Sequence, residues 1–401
     1  ISGWLADRFG SKNIFIAAMG IFTFSSILCA ISTNLPFLIL ARMIQGFGGA
    51  LMLPVGRLIL LRTFSKAEFG KAMGMVIVPG LLGPTLGPTI GGLILHVATW
   101  HWIFLVNVPL GIIGTLVSYY LIAPSEEHHA PSFNWPGFLL FSLGLAAITF
   151  ALAVLGDNFD LRNYAVILAI AAIILLVAYW RVSAKQERPL LDVELFKQKT
   201  FRISMVVSLI ARPSMGAVPF LIPLLLQVVW GRSALFSGMS FMFLALGMIS
   251  ARFLIGQRLL TDYGYRMGLY IIILAITLLS MNLCWFSHPQ PFYLLAAILF
   301  IIGIATSQFY TTIGTMTVAE VEPKKFSQAT SISSTAQQFS AGVGIAMAAI
   351  LLHLISKMLQ QPLFSADVFF WTIIALNAIN LFSLFFIAQL NPELKLAVVK
   401  T

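Results

Sequence analysis

Two long stretches of this chain contain no charged residue, and they constrain its fold more than any other feature. Residues 72–125 and residues 267–319 hold no Asp, Glu, Lys or Arg. Each stretch is long enough for two membrane crossings of about 20 residues. Each is interrupted once by a polar or turn-like segment, at 96–102 and at 287–291. Because the whole chain is 59% hydrophobic and 9% charged, we predict a polytopic membrane protein.

When every uncharged stretch is treated in the same way, the chain is predicted to contain twelve membrane-spanning segments. The apolar stretches do not alternate with a period of two residues, as the strands of a membrane barrel would. Helices satisfy their own backbone hydrogen bonds in lipid, so the predicted fold class is all-α. The predicted segments lie near residues 13–32, 36–60, 72–95, 102–122, 136–156, 163–180, 203–229, 237–257, 267–286, 292–318, 327–356 and 368–389.

The basic residues outside these segments are distributed unevenly between the two sides of the membrane. With Ile1 on the cytoplasmic side, three basic residues, Arg162, Arg232 and Lys357, fall in outer segments, and most of the others fall in cytoplasmic ones. This is the positive-inside pattern. It explains the net charge of +10 without nucleic-acid binding, which would need a single basic surface.

The sequence offers no set of residues that would support catalysis or bind a cofactor. It contains no GxxxxGK phosphate-binding loop, which argues against transport driven by ATP. No Ser/His/Asp set and no His or Cys spacing typical of a metal site is present. We therefore predict no enzymatic activity, no cofactor and no metal.

A motif of glycine, acidic and basic residues begins the chain. It resembles the cytoplasmic loop between the second and third spans of the major facilitator superfamily, where it implies a conformational-switch loop. Glycine permits a tight turn there, and the acidic side chain can pair with a basic group or a helix N-terminus. A weaker copy at 261–266 aligns Gly264 and Arg266 with the last two motif residues, as expected for two related halves. The motif residues are Gly3, Asp7, Arg8, Gly10 and Lys12.

The spacing of these two motif copies points to one branch of the superfamily. Eight predicted spans separate them, whereas members with twelve spans have six. The chain therefore resembles the fourteen-span drug:proton antiporter family, with two spans inserted between the halves and two expected before Ile1. Segments 100–111, 133–137 and 189–196 also resemble that family, and the pattern is similar to its MdtD/HsrA-like group.

This resemblance predicts three regions in the chain. An N-terminal bundle lacking its first two spans would comprise residues 1–122. Two inserted spans and an amphipathic cytoplasmic linker would comprise residues 123–200. A C-terminal six-helix bundle would comprise residues 201–401.

A segment rich in glycine and proline follows at residues 79–92. Glycines every four residues create a face where another helix can pack backbone to backbone, and each proline removes a backbone donor and bends the helix. The segment resembles the antiporter motif of the superfamily, which implies exchange rather than uniport. The alternative is a kinked packing helix without a transport role. The predicted antiporter-motif residues are Gly80, Gly83, Pro84, Gly87, Pro88 and Gly91.

Arg42 is the candidate for proton coupling. An unpaired arginine near the bilayer centre costs about 2.5–3.5 kcal/mol on insertion scales, so it should face a polar interior. The resemblance links this arginine to proton transfer beside an acidic residue on the first span. All fourteen carboxylates of the chain are predicted to lie in loops or at span boundaries. Either the proton-binding carboxylate precedes Ile1, or the protein is not driven by protons; a snorkelling arginine without a coupling role is the structural alternative.

Nine polar residues within apolar spans are candidates for lining a substrate cavity. Such groups usually face the interior of a helix bundle, although interhelical hydrogen bonding without substrate contact is an alternative for each. Arg212 stands before Pro213 in a segment that we predict to be broken or bent, and in the cavity it would favour anionic or zwitterionic substrates. The candidates are Gln45, Asn107, Arg212, Gln227, Gln308, Tyr310, Thr311, Gln337 and Gln338.

These features together predict a secondary active transporter in the bacterial inner membrane. It would export small amphipathic compounds or drugs in exchange for protons by alternating access, with both termini of the intact protein in the cytoplasm. Its partners would be the lipid bilayer, a small-molecule substrate and protons. The alternatives are an exporter of one endogenous metabolite or siderophore, and a membrane sensor or scaffold that does not transport.

Overall fold

The computed structural model of the protein describes residues 1–63, 83, 87, 89–124, 133–157, 161–183, 193–256, 258–284, 291–322 and 325–393. All regular secondary structure in these ranges is helical, which confirms the predicted all-α class. Eleven of the described helices are long and apolar enough to cross a membrane. They correspond to eleven of the twelve predicted spans, and most of the remaining one, 72–95, lies outside the described residues. The chain forms two compact units, Ile1–Phe133 and Asn134–Thr401.

The first unit is organised around its second helix, α2, which packs against α3 and α6. Glycine allows these close approaches: a Cβ atom at Gly48 would lie 2.9 Å from the carbonyl oxygen of Ala18, and one at Gly111 would overlap the Thr23 side chain. Small residues of this kind let membrane helices approach closely. The helices are α1 (Ser2–Phe9), α2 (Ser11–Ala30), α3 (Leu35–Thr63), α4 (89–97), α5 (Trp102–Leu105) and α6 (Asn107–Leu121).

The second unit contains nine helices among its described residues. In it α9 packs against α14 and α15, α10 against α13, and α12 against α13 and α15. A 3₁₀ turn, Val193–Lys197, precedes α9. The helices are α7 (Trp135–Asp157), α8 (Arg162–Ser183), α9 (Lys199–Leu224), α10 (Ala234–Leu254), α11 (Arg258–Asp262), α12 (Gly264–Cys284), α13 (Phe292–Val318), α14 (Phe326–Leu359) and α15 (Ala366–Ile387).

The two helices of the predicted insertion, α7 and α8, lie in the second unit. They pack against each other, and α7 also packs against α14. A Cβ atom at Gly156 would lie 2.9 Å from the Cβ atom of Ala349 and 3.2 Å from the carbonyl oxygen of Ala346. The α7 and α14 helices are therefore in close contact. The three-part division at residues 123 and 200 stays a prediction.

The span around Arg212, predicted to be broken or bent, is not broken. The α9 helix runs without interruption from Lys199 to Leu224 although it contains Pro213, Pro219 and Pro223. It continues as a π-helical turn over Leu225–Val229. Each proline removes only one backbone donor, and the π turn after Pro223 accommodates the altered hydrogen bonding at the end of the helix.

Close packing of α10 against α13 depends on two glycines that face each other's helix. A Cβ atom at Gly247 would overlap the Phe300 carbonyl group, and one at Gly303 would overlap that of Leu244. Backbone atoms cannot rotate away as the end of a long side chain can. The two helices would therefore have to move apart to accept any side chain at either position.

We expect Gly247→Leu and Gly303→Leu each to destabilise the protein, by about 1–3 kcal/mol, because overpacking forces the backbone to shift. The measurement is the yield of monodisperse protein in detergent and its thermal midpoint. Gly314→Leu is the matched control on α13, since a Cβ atom there meets no described atom within 4 Å. Equal losses in all three variants would contradict this account of the α10–α13 contact.

The linker before α9 is tied to the start of α14 by an ion pair. The ammonium group of Lys325 donates a hydrogen bond of 3.0 Å to Glu194, and Lys197 approaches the same carboxylate at 3.5 Å. The hydrogen bond from Lys325 and its charge, followed by the charge of Lys197, lower the pKa of Glu194. A second contact joins the same region, because the Thr200 hydroxyl donates to Glu320 at 2.6 Å.

We expect this ion pair to make the stability of the protein depend weakly on pH. Since folding lowers the pKa of Glu194, its contribution is present above the unfolded value of about 4.3 and is lost as the pH falls through the folded value. The wild type should therefore melt slightly higher than Glu194→Gln at pH 7, and the difference should disappear once the pH falls below the folded pKa, or in high salt. Thermal melts in detergent measure this; a difference that does not change with pH would contradict it.

Candidate functional site

Most of the predicted switch motif is a short helix, and a turn follows it before the first membrane span. Gly3, Asp7 and Arg8 lie in α1, and Gly10 ends that helix with φ of 82°. A side chain would strain this left-handed conformation, which explains the glycine. The Nζ atom of Lys12 lies 5.3 Å from the centroid of the Tyr119 ring on α6. The motif therefore joins α1 to α2 and places its last basic residue against α6.

The weaker copy of the motif has the same local construction. The short helix α11 ends at Asp262, and Gly264 follows with φ of 76° at the start of α12. Thr261, which stands where the first copy has its acidic residue, donates hydrogen bonds to the Arg258 carbonyl and to Asp262, both at 3.1 Å. A short helix, a left-handed glycine and a membrane span therefore follow one another in both units.

Arg42 belongs to a polar network between α2 and α3. Its guanidinium donates to the amide oxygen of Gln45, and the Gln45 amide group donates to the Ser26 hydroxyl at 2.6 Å. Ser26 in turn donates to the carbonyl oxygen of Phe22 at 2.8 Å. The guanidinium carbon lies 5.7 Å from the Phe104 ring centroid. This network fixes the position of the Arg42 guanidinium, although Arg42 is exposed.

Most of the predicted antiporter-motif helix lies outside the described residues. Gly80, Pro84 and Pro88 lie outside the described residues. Gly83, Gly87 and Gly91 are helical, but a Cβ atom at any of the three meets no described atom within 4 Å. The predicted close helix contact at these glycines is therefore not seen among the described residues.

Arg212 lies near the middle of α9 and is buried, with 6% of its surface exposed. Its guanidinium carbon lies 4.6 Å from the centroid of the Tyr310 ring and 5.9 Å from that of Phe309, both on α13. Its Nε atom is buried and has no hydrogen-bond partner in the described part of the chain. Arg212 is therefore a buried cation that packs against two aromatic rings and has no carboxylate partner among the described residues.

The other cavity candidates are dispersed. Gln45 is buried in the network with Arg42, and Gln308 donates to the Ala251 carbonyl at 3.3 Å, so both make interhelical hydrogen bonds. Gln337 is half-buried and donates to Ser333 at 3.2 Å on its own helix. Among the nine candidates, the structure shows direct contact of Arg212 with Tyr310, whereas Gln45 contacts Arg42, the proton-coupling candidate. Asn107 is half-buried at the start of α6, and three candidates are exposed: Gln227, Thr311 and Gln338.

Sequence reasoning missed a buried polar cluster between α12 and α15. The Ser280 hydroxyl donates to Asn377 at 2.8 Å, and Asn380 donates to the Thr277 hydroxyl at 3.3 Å. The signal was available, because two asparagines three residues apart in an apolar span must find polar partners. Phe309, which contacts Arg212, and Ser26, which accepts a hydrogen bond from Gln45, were also missed. Only the folded structure reveals these two contacts.

The described carboxylates lie outside the membrane-spanning helices or at the end of a helix. Among the eleven described spans, the one acidic residue is Asp367, which lies in the first turn of α15 and is exposed. It accepts a hydrogen bond of 3.0 Å from Gln361. None of these spans therefore buries a carboxylate.

Comparison with known proteins identifies relatives over most of the chain. A family model described as Major Facilitator Superfamily matches residues 1–259 and 204–398. A Pectobacterium atrosepticum protein named multidrug resistance protein MdtD is 36% identical over 357 residues, covering 89% of this chain and 76% of that protein. A Haemophilus influenzae protein named transport protein HsrA is 34% identical over 354 residues, covering 88% of this chain and 76% of the relative.

Solved structures agree on the fold. The human organic anion transporter MFSD10 aligns with a TM-score of 0.65 at 14% identity, covering 96% of this chain and 79% of that one. An auto-inhibited peptide transporter of the POT family aligns with a TM-score of 0.64 at 15% identity, covering 97% and 85%. Identities this low bear on the fold alone. The apolar helices, the repeated motif and the matches over nearly nine-tenths of the chain together show that this protein is a membrane transporter of the major facilitator superfamily, in its MdtD/HsrA-like group.

Proposed function

We propose that this protein exports small amphipathic compounds across the bacterial inner membrane in exchange for protons, by alternating access. The observation that carries the proposal is the 36% identity to a protein named for multidrug resistance over 89% of this chain. A second relative, HsrA, is named a transport protein. We infer export from the name of the first relative. We infer exchange for protons from the resemblance of residues 79–92 to the antiporter motif.

Arg42 supports proton coupling because its charge is held in place. Through Gln45 and Ser26 its guanidinium is anchored to the backbone of α2. A fixed cation stabilises the ionised form of a nearby carboxylate and so sets the pH at which that carboxylate exchanges its proton. In this mechanism Arg42 is a positioning residue for the proton-binding group and does not itself release a proton.

Uncovered polar faces in the second unit support a water-accessible substrate path. Thr311 and Gly314 are exposed on α13. The first half of α14 carries a similar exposed stripe, formed by Ser331, Thr335 and Gln338 at helical spacing. Polar side chains at membrane depth belong on a protein interior or a water-filled cavity rather than against lipid. We assign these faces to the path that the substrate follows.

Close internal packing supports alternating access. In each unit, glycines bring helix backbones into direct contact, as at Gly48 against Ala18 and at Gly216, where a Cβ atom would lie 2.9 Å from the Cα atom of Ala341. Interiors packed this tightly resist continuous deformation. They suit a cycle in which packed helices move as whole bodies.

We expect everted membrane vesicles containing the intact protein to accumulate amphipathic dyes when respiration acidifies their interior. A protonophore should abolish the accumulation, and addition of dye should release protons from the vesicles, as a fluorescent pH probe would report. Vesicles without the protein are the control. Accumulation that survives the protonophore would contradict proton coupling, and a lack of transport across a broad dye panel would contradict drug efflux.

We expect Arg42→Gln to reduce proton-coupled accumulation by about tenfold or more, since hydrogen bonds to charged groups contribute about 1.5–3 kcal/mol. The measurement is the initial rate of dye uptake and of dye-induced proton release, normalised to folded protein. Arg202→Gln is the matched control, because it removes an exposed arginine at the start of α9. If both variants keep the wild-type coupling, Arg42 has no role in it.

A further inference from the structure

Arg212 is a buried charge with no opposite charge beside it in the described part of the chain. Only 6% of its surface is exposed, and no carboxylate among the described residues lies within ion-pairing distance of it. The eleven described spans contain a single acidic residue, Asp367 at the exposed start of α15. Burying an ion away from water is costly unless a partner compensates it. Among the described residues, no carboxylate compensates the charge of Arg212.

Aromatic rings compensate this charge in part. The guanidinium lies 4.6 Å from the Tyr310 ring centroid and 5.9 Å from that of Phe309. Such cation–π contacts leave the hydrogen-bonding edge of a guanidinium free, because the rings cover its face. The buried Nε atom has no hydrogen-bond partner in the described part of the chain. That edge can bind two oxygen atoms of a carboxylate or a sulfonate.

A second unpaired donor lies one helical turn away. The Ser208 hydroxyl is fully buried and, like the Arg212 Nε atom, lacks a partner among the described residues. Positions four residues apart lie on the same face of a helix. The next residue along this face, Ser204, accepts a hydrogen bond of 3.3 Å from Thr317 on α13. The side of α9 that packs against α13 is therefore polar. Two residues on it, Ser208 and Arg212, have hydrogen-bonding groups that no described residue uses.

Tyr310, whose ring lies against the guanidinium, adjoins exposed positions of α13. It is half-buried, and Thr311 and Gly314 beside it are exposed. A Cβ atom at Gly314 meets no described atom within 4 Å, so the helix surface next to the ring is open. A ligand on this surface would reach the guanidinium once the Tyr310 ring rotated, and the same ring would then stack on the apolar part of the ligand.

We propose that Arg212 is the binding site for the anionic head group of the substrate, so that this transporter selects amphipathic compounds bearing a carboxylate or sulfonate. Ser208 donates a further hydrogen bond to the same oxygens, and Tyr310 and Phe309 contact the aromatic or apolar body. The inference rests on the proposed export function and names the substrate class for it. Arginine suits this role because its planar group binds such anions through two parallel hydrogen bonds.

The experiment compares two xanthene dyes of similar size in everted vesicles, fluorescein as the anion and rhodamine 6G as the cation. We expect Arg212→Gln to lower fluorescein uptake by about tenfold or more while changing rhodamine 6G uptake less than twofold. Arg212→Lys should fall between the wild type and the Gln variant for fluorescein, since it keeps the charge but loses the planar pair of donors. Ser208→Ala should weaken fluorescein uptake more mildly, through an increased KM.

Arg232→Gln is the matched control. Arg232 also lies over a phenylalanine ring, 5.3 Å from the Phe236 centroid, but it is exposed, so its loss should leave both dyes unaffected. Size-exclusion chromatography and thermal midpoints of each variant in detergent establish that the protein is folded. Binding of fluorescein to detergent-purified protein, followed by fluorescence anisotropy, gives a readout that does not require transport.

The outcomes separate this inference from the export function. Selective loss of fluorescein binding and uptake in a folded Arg212→Gln variant supports the anion site. Wild-type fluorescein binding in that variant, or an equal loss of both dyes, overturns it while export itself stands. Absence of uptake of either dye by the wild type, with protein present in the vesicles, contradicts the export function. Fluorescein binding that depends on Arg212 would still support the anion site in that case.

Discussion

Many polar side chains in the described spans are bonded to a neighbouring helix or to the preceding turn of their own helix, because hydrocarbon offers them no partner. Thr312, for example, donates to the carbonyl oxygen of Gln308 at 2.7 Å on its own helix. Ser280 and Asn380 bond across the α12–α15 contact instead. This requirement is stricter in lipid than in water. It decides which helices can be neighbours, and it makes the unbonded groups conspicuous.

The two candidate arginines differ in whether their hydrogen-bonding groups have partners. Arg42 is exposed, but it is hydrogen-bonded to Gln45 and anchored through Ser26. Arg212 is buried, faces two aromatic rings and has a free buried nitrogen within the described chain. The first arrangement holds a charge steady, which suits the tuning of a proton-binding group. The second leaves a charge to be neutralised, which suits the capture of an anion.

Glycine determines how closely the helices carrying these groups approach one another. The Gly344 position of α14 lies against the Pro213 carbonyl of α9, directly after Arg212. A side chain at Gly344 would separate the two helices and shift α9, with its buried guanidinium, relative to α13. Backbone packing at Gly344 and the position of Arg212 are therefore linked. A mutation at a residue that contacts no substrate can in this way displace the charged side chain.

The sequence by itself determined the all-α class, eleven of the described spans, the repeated motif and the family. Uncharged runs long enough to cross a membrane are local features that can be recognised in the sequence. The same holds for glycines at left-handed positions, such as Gly10 and Gly264. It also singled out Arg42 and Arg212, since an arginine in an apolar span is rare and costly.

Only the tertiary structure decided what those arginines contact, because neighbours from other helices are chosen by packing that no single segment encodes. Gln45 was predicted to line a cavity, yet it is hydrogen-bonded to both Arg42 and Ser26, and the proline-rich α9 is an unbroken helix. The partnership of Arg212 with Phe309 and Tyr310 likewise joins residues nearly a hundred positions apart in the chain. The sequence fixes which polar groups need partners, and the fold determines which of them are left without one.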